Sequence, residues 1–359
     1  MKALILDSTL REGIQAPGIS FTPEQALRLA SELDTLGVDF IELAPLVSQN
    51  TREMSKRIID SKPRAKIILH ARATKQDIDA LLSLDPEWIA TYMSVSDIHL
   101  EKKLKINRET AKQRAVEAIE YAKSHGLHVR FTCEDATRAD KSYLIEMVNQ
   151  AENLGTERVA IPDTVGIATP RSFYNLIRDL SCAAPKIEFD VHCHNDFGLA
   201  LANSIAGLEA GASCVHATIN GIGERAGITK LAEIAMVLNV INKEREDLKI
   251  ERLPVLSSLL SDFTHIQCDP FTPIVGENVF RHKGGTHILG VLNSNGVAYE
   301  PFSPTSLNRK RKIVVGEFSG RTLLRYLSSE LGLGLTEQQI EKTISRLKEK
   351  EGDLFEFEF

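Results

Sequence analysis

The feature that most constrains the fold is a regular alternation of short apolar segments with longer amphipathic ones, which runs from the first residues to about residue 240. This alternation is typical of βα units built around a parallel sheet. The pattern predicts eight strands, at residues 3–8, 39–43, 66–71, 88–93, 128–133, 158–162, 188–194 and 213–219. Closing such a sheet removes both of its open edges, so the sequence predicts an α/β fold of the (β/α)₈ TIM-barrel class.

The pattern changes after the predicted barrel. A Pro- and Gly-punctuated segment extends to residue 304, a basic run occupies 309–312, and a helical stretch at 336–350 precedes a tail, 352–359, that we expect to be frayed. We therefore predict a catalytic barrel at 1–245 and two small helical subdomains, at 246–305 and 306–359.

Composition excludes several classes of partner. The net charge of −6 leaves no excess of Lys and Arg for binding a nucleic-acid backbone, and the basic residues are interspersed with acids. Five cysteines without CxxC spacing suit reduced thiols in a cytosol. No apolar run approaches the roughly 18 residues of a membrane helix, and the N-terminus leaves no room for a signal peptide. We expect a cytoplasmic protein.

The seventh predicted strand carries the strongest local signal. Residues two apart in a strand face the same side, so His192 and His194 point together, at the end of the strand that opens into the mouth of a barrel. Asp7 and Glu12, at the end of the first strand, are both candidates for a carboxylate ligand. Such a set suits a catalytic divalent cation. There are two alternatives to this metal site. The histidines could be structural residues that hydrogen-bond to their neighbours, or they could belong to an iron oxygenase site.

Three segments carry a resemblance to a known family: DSTLREG (7–13), VHCHNDFG (191–198) and GIGERAGIT (221–229). Together they resemble the metal-dependent homocitrate, 2-isopropylmalate and citramalate synthases, with hydroxymethylglutaryl-CoA lyase as a more distant relative. The resemblance covers essentially the whole chain. It implies that Glu12, His192 and His194 hold one divalent metal (Mg, Mn, Zn or Co), and that acetyl-CoA is a co-substrate.

Other positions bear on the second substrate. Ile228 stands where 2-isopropylmalate synthases typically have the Asn of GERAGN. With Thr229 it looks like the homocitrate synthase pattern. His70, unless it is a core histidine, resembles the residue that holds the distal carboxylate of 2-oxoglutarate. Ile14 departs from the family, because homocitrate synthases commonly carry a second Glu there.

The fifth strand supplies more candidates. Arg130, Thr132 and Glu134 alternate and therefore share a face, where Arg130 can clamp a carboxylate. Thr164 matches the substrate-binding threonine of the family, and Gln15 is a further polar contact.

The C-terminal region contains RHKGGTH (281–287) and, later, Tyr299. The resemblance implies that His282 reaches the active site of a neighbouring subunit and assists, with Tyr299, in removing a proton from acetyl-CoA. A homodimer is then expected. Arg11 would neutralise the alkoxide that forms, and Glu134 would serve as a proton partner.

These features predict a homocitrate synthase-type acyltransferase of lysine biosynthesis by the aminoadipate route, which condenses acetyl-CoA with 2-oxoglutarate and releases homocitrate and CoA. The alternatives are a 2-isopropylmalate or citramalate synthase with another 2-oxo acid and, more remotely, a non-catalytic regulatory barrel.

Overall fold

A computed structural model describes residues 2–350 and 352–358. Its first eight strands form a closed parallel barrel in sequence order, and β1 pairs with β8 from Leu4 opposite Cys214 to Asp7 opposite Ala217. The strands are β1 (Leu4–Asp7), β2 (Phe40–Leu43), β3 (Lys66–Arg72), β4 (Trp88–Ser94), β5 (His128–Glu134), β6 (Arg158–Asp163), β7 (Glu188–Cys193) and β8 (Cys214–Ala217). The predicted barrel is confirmed.

Helices separate consecutive strands and follow the last one. They are α1 (Pro23–Leu36), α2 (Gln49–Asp60), α3 (Lys75–Leu82), the short α4 (Asp97–His99), α5 (Arg108–Ser124), α6 (Lys141–Asn153), α7 (Pro170–Ala183), α8 (Ala200–Glu209), α9 (Leu231–Met236) and α10 (Leu253–Thr264). Local sequence sets their ends. Helix α1 begins at a capping box formed by Thr22 and Gln25, and it ends at Gly37, whose φ of 99° requires glycine.

The barrel interior changes from apolar to polar along the strands. An apolar cluster at its N-terminal end contains Leu6, Phe40, Ile68, Trp88, Ala90 and Cys214. Two positions further along these strands, the residues that face the same interior are mostly polar, and they include Ser8, Glu42, His70, Tyr92 and His216. The apolar layer therefore supports a polar layer directly below the mouth of the barrel.

The chain forms two compact units, one reaching Gln267 and the other starting at Cys268. The second unit contains β9 (Arg281–His282), α11 (Gly285–Ser294), β10 (Lys312–Gly316), α12 (Arg321–Glu330), α13 (Glu337–Lys348) and β11 (Asp353–Glu358). Its core groups Ile288, Ile313, Val315, Leu323, Leu324, Leu327, Ile340 and Leu347. The predicted three-part division of the chain stays a prediction.

The C-terminal tail corrects one expectation. Residues 353–358 do not fray but form β11, antiparallel to β10, in a sheet ordered β11-β10-β9. Phe357 packs against the core of the unit, while Glu356 pairs with Arg281 and Lys312. The alternation of aromatic and acidic residues in the tail is thus a strand pattern.

The basic run at 309–312 is occupied by intramolecular contacts, to the Gly276 carbonyl and to Glu358, Glu300 and Glu356 in turn. Within residues 2–350 and 352–358, none of the helices has the length and apolar character needed to cross a membrane.

Candidate active site

The C-terminal ends of the barrel strands surround a pocket of about 370 Å³. All of the barrel residues proposed from the sequence for metal binding, substrate binding or catalysis line it: Arg11, Glu12, Gln15, His70, Arg130, Thr132, Glu134, Thr164, His192 and His194. The fold therefore brings together residues that lie up to 183 positions apart in the chain, as parallel strands in a barrel require.

Glu12 and the two histidines of β7 and its C-terminal extension form a compact triad at the base of this pocket. His192 Nε2 lies 4.0 Å from Glu12 Oε2, and His194 Nε2 lies 3.9 Å from Glu12 Oε1. The three side chains are buried, and one possible ligand atom from each lies within 4.8 Å of the others. Ligand atoms about 2 Å from a common cation lie at most about 4 Å apart, so the two distances from Glu12 are at the upper limit of this range. The donor set fits one divalent ion.

The carboxylate of the triad is itself oriented by neighbours. Glu12 Oε1 accepts a hydrogen bond from the backbone N–H of Glu224 at 3.0 Å, and Oε2 accepts one from Arg11 at 2.5 Å. Gly223 makes this approach possible, since a Cβ there would lie 3.1 Å from the Glu12 side chain. The GERAGIT loop thus fixes the position of the Glu12 carboxylate.

Asp7, the other carboxylate considered for the metal, is engaged elsewhere. Its two oxygens accept hydrogen bonds from Thr9, one from the backbone N–H at 2.9 Å and one from the hydroxyl at 3.1 Å. Burial raises the pKa of Asp7 to about 7. Its role is to hold the loop that carries Arg11 and Glu12.

Both triad histidines have the protonation state that a metal ligand needs. Burial, together with the nearby Arg11 guanidinium, holds the pKa of His192 well below its usual range. Burial also lowers the pKa of His194, against the attraction of Glu12. Neutral imidazoles keep a lone pair on one ring nitrogen, which is the atom that binds a cation.

Glu42, which was not predicted from the sequence, holds two residues of the pocket wall, Arg11 and Arg130. Its carboxylate accepts hydrogen bonds from Arg11 Nε at 2.7 Å, from Ser8 at 2.6 Å and from Arg130 Nη2, and His70 Nδ1 lies 3.4 Å away. Burial alone would raise the pKa of Glu42, but Arg11 and Arg130 hold it well below its usual range. A lone acid within the apolar strand FIEL (40–43) was the available signal.

The inward face of β5 has unused hydrogen-bonding capacity. Arg130 Nε and Thr132 Oγ1 are buried and have no hydrogen-bond partner among the described residues. His70 also lines the pocket and is stacked on Tyr92, with ring centroids 5.0 Å apart. Buried donors without partners are costly, so their presence on a pocket wall indicates a ligand that accepts from them.

Glu134 and Thr164 occupy the rim of the pocket. Glu134 accepts hydrogen bonds from Lys103 at 2.6 and 2.8 Å and from Ser94. Lys103 comes from a π-helical turn, Leu100–Leu104, a geometry common at functional sites. Thr164 Oγ1 accepts from the Asp135 N–H at 2.9 Å, which leaves its own proton free to donate. Gln15 is exposed on the turn Gly13–Gln15.

The remaining candidates, His282 and Tyr299, belong to the C-terminal unit. His282 Nε2 lies 3.1 Å from Glu300 Oε1, and Arg311 Nε donates to both oxygens of Glu300 at 2.8 Å. Tyr299 stacks on His287, with ring centroids 4.5 Å apart. Glu300 directly follows Tyr299 in the chain but was not predicted from the sequence.

Comparison with known families supports the resemblance drawn from the three motifs. A family model described as HMGL-like matches residues 2–260, and one described as homocitrate synthase post-HMGL domain-like matches residues 274–353. The first match corresponds to the barrel unit and the second to the C-terminal unit. The family suspected from the sequence is confirmed.

Curated relatives span nearly the whole chain. It is 49% identical over 329 residues to the "Probable 2-isopropylmalate synthase" of Ignicoccus hospitalis, covering 91% of this chain and 82% of that protein. It is 42% identical over 345 residues to "Homocitrate synthase AksA" of Methanothermobacter thermautotrophicus, covering 96% and 88%. Both relatives are named as synthases, but the two names refer to different products.

Solved structures agree on the fold. The hydroxymethylglutaryl-CoA lyase of Pseudomonas aeruginosa superposes with a TM-score of 0.66 at 19% identity, covering 73% of this chain and 92% of that one. At this identity the likeness concerns the barrel architecture alone.

Proposed function

Because this chain belongs to the HMGL-like family of acyltransferase-type synthases, we propose that it condenses acetyl-CoA with 2-oxoglutarate and hydrolyses the resulting thioester to homocitrate and CoA. Family membership supports an enzyme that uses a divalent metal and a 2-oxo acid. The choice of 2-oxoglutarate as the acceptor rests on the residues of the pocket.

The observation that carries this choice is the pair of unpartnered donors on β5. Arg130 Nε and Thr132 Oγ1 need an acceptor, and a distal carboxylate supplies one. The apolar end of a branched 2-oxo acid would leave both donors buried and unpaired. Sites built around hydrogen-bonding groups reject such analogues strongly, for this reason.

Charge balance supports the same choice. In the buried network of the pocket, the guanidinium groups of Arg11 and Arg130 are balanced by the carboxylates of Glu12 and Glu42. The other charged groups that line the pocket lie outside this network: Lys103 pairs with Glu134, Arg225 pairs with Asp196, and Glu224 is exposed. A divalent ion in the triad adds two positive charges, which the two carboxylates of 2-oxoglutarate neutralise. A 2-oxo acid with a single carboxylate would leave one charge uncompensated in a buried site.

The triad supplies the electrophilic half of the chemistry. A divalent ion held by Glu12, His192 and His194 would act as a Lewis acid toward the 2-oxo group. Arg11 lies beside this position and is held there by Glu12 and Glu42, so its guanidinium stabilises the negative charge that develops on the 2-oxo oxygen during attack. His70 and Arg130 orient the acceptor from its far end.

Proton transfer is assigned to His282, with Tyr299 and Glu134 as partners. The Glu300 contact engages His282 Nε2, so Nδ1 is the nitrogen available to take a proton from the acetyl methyl group. The methyl carbon then forms a bond to the 2-oxo carbon, and water later cleaves the thioester with release of CoA. The family resemblance supports His282 of the neighbouring subunit in this role, which makes a homodimer the proposed functional unit.

A second candidate is 2-isopropylmalate synthesis, favoured by the 49% identity to a relative of that name. The acceptor would then be 2-oxoisovalerate. A citramalate synthase acting on pyruvate is the third member of this group. All share the triad, so only the distal end of the pocket distinguishes them.

The proposal is tested by measuring free CoA thiol release from acetyl-CoA with 2-oxoglutarate, pyruvate or 2-oxoisovalerate as the acceptor. The enzyme is first treated with a chelator and then resupplied with Mg²⁺, Mn²⁺, Zn²⁺ or Co²⁺. We expect no turnover without metal and the highest kcat/KM with 2-oxoglutarate. Higher kcat/KM with either other acid would refute the acceptor assignment, and metal-independent turnover would refute the triad.

A further inference from the structure

A column of charged and polar side chains lies inside the barrel beneath the triad, and the mechanism proposed above does not use it. It runs from Arg158 on β6 to Asp190 on β7, then to His216 on β8, and it ends on His192. Barrel interiors are usually filled by branched apolar residues. Burying polar groups instead is costly unless each one is paired, so each contact in the column constrains the next.

The contacts form a continuous chain. Arg158 Nε donates to Asp190 Oδ1 at 2.7 Å, His216 Nε2 lies 3.0 Å from Asp190 Oδ2, and the Nδ1 atoms of His216 and His192 are 3.3 Å apart. Asp190 is fully buried, and His216 is 1% exposed. Asp190 and His216 are therefore almost completely shielded from solvent.

This series of contacts determines which ring nitrogens of His216 and His192 carry hydrogen. Asp190, ionised beside Arg158, can only accept, so His216 Nε2 must be protonated. A neutral imidazole has one donor and one acceptor, which makes His216 Nδ1 the acceptor and His192 Nδ1 the donor. The lone pair of His192 then resides on Nε2, the atom 4.0 Å from Glu12.

One competing contact does not change this assignment. Arg130 Nη1 lies 3.5 Å from His216 Nε2 and would need an acceptor there. The contact from His216 Nε2 to Asp190 is 0.5 Å shorter and involves a charged acceptor, so it determines the proton position.

We propose that Asp190 and His216 are positioning residues that fix the tautomer of His192, so that its Nε2 lone pair is presented to a divalent cation. This inference rests on the proposed metal triad. Groups that orient a metal-bound histidine in this way typically change metal affinity by about 10- to 100-fold when they are removed.

A separate metal site in the column is not favoured. Asp190, His216 and Cys214 bring possible ligand atoms together, but both oxygens of Asp190 are engaged by Arg158 and His216. Burial also raises the pKa of the Cys214 thiol well above its ordinary value, so the sulfur stays protonated. The contacts of the column therefore act on the triad, through the contact of His216 with His192.

The first test measures the histidine tautomers in the wild-type protein, and variants are used only to assign the signals. Long-range ¹H–¹⁵N correlation spectra of the metal-free, histidine-¹⁵N-labelled protein report the tautomer of each ring, with the signals assigned through His192→Gln and His216→Gln. We expect His192 protonated on Nδ1 and His216 protonated on Nε2. A His192 ring protonated on Nε2 overturns the inference.

The second test compares two variants that separate the nitrogens of His216. His216→Gln places its amide near the Nε2 position and has no acceptor at the position of Nδ1, whereas His216→Asn keeps an acceptor near Nδ1. Zinc affinity is measured by competition with a chromophoric chelator. We expect His216→Gln to bind roughly 10- to 100-fold more weakly and His216→Asn to bind nearly as well as the wild type.

The outcomes separate this inference from the proposed site. Wild-type zinc affinity in His216→Gln, or an equal loss in both His216 variants, overturns the tautomer role. Retained zinc affinity in His192→Ala would overturn the metal triad itself, and the inference with it.

Discussion

Replacing Glu42 by Gln should destabilise the barrel strongly, because this carboxylate is the only anion in contact with Arg130 among the described residues. Gln keeps the size of the side chain and removes the charge. Arg130 is 1% exposed, so its guanidinium would remain buried without an anion. Breaking a buried ion pair by removing one partner costs about 3–5 kcal/mol. Arg11 and Ser8 would also lose part of their hydrogen bonding.

The free energy of unfolding can be followed by equilibrium urea denaturation of the metal-free protein. Trp88, the single tryptophan, lies in β4 within the barrel interior and reports on this unit by fluorescence. Glu53→Gln is the matched control, since Glu53 pairs with Arg57 on an exposed helix face. Exposed pairs of this kind contribute little. If Glu42→Gln were no less stable than Glu53→Gln, Glu42 would not be the organising charge of the pocket.

Three further predictions concern the proposed chemistry and its electrostatics. His282→Ala should lower kcat by about 10²- to 10⁴-fold in the thiol-release assay while leaving zinc affinity unchanged, and a loss of both would contradict its role as a base. His70→Leu should lower kcat/KM for 2-oxoglutarate by about 10- to 100-fold and raise the relative rate with 2-oxoisovalerate; an unchanged ratio would exclude His70 from recognition. Asp7→Asn should change the pH dependence of stability: folded Asp7 keeps its proton up to about pH 7 and the unfolded chain releases it near 3.8, so the wild type loses stability as pH rises through this window. The Tm of Asp7→Asn relative to the wild type should therefore be higher at pH 8 than at pH 5, and a constant difference would mean that Asp7 is ionised throughout.

Much of the fold was predictable because the signals are local. Strand and helix periodicity gave the eight βα units, and the alternation of a strand was sufficient to place His192 and His194 on one face. Alternation likewise predicted that Arg130, Thr132 and Glu134 line the pocket together. Only the family resemblance favoured Glu12 over Asp7, since both carboxylates lie at the C-terminal end of the same strand. The residue pattern does not show that Thr9 hydrogen-bonds to both oxygens of Asp7.

The missed residues act through long-range contacts. Glu42 meets Arg130 across 88 positions, and His216 meets Asp190 across 26. Their importance depends on which strands face one another across a closed barrel, and composition and spacing do not reveal that. The tail was missed for a related reason, because β11 is a strand only when β10 lies beside it.

The most direct test of the proposed function is a competition experiment with equal concentrations of 2-oxoglutarate, pyruvate and 2-oxoisovalerate in one reaction with acetyl-CoA and metal. The ratio of products, measured by mass spectrometry at low conversion, gives the ratio of kcat/KM values. We predict that homocitrate is the main product, because 2-oxoglutarate is the one acid of the three whose second carboxylate could accept hydrogen bonds from the unpartnered Arg130 Nε and Thr132 Oγ1. A predominance of 2-isopropylmalate or citramalate would contradict it.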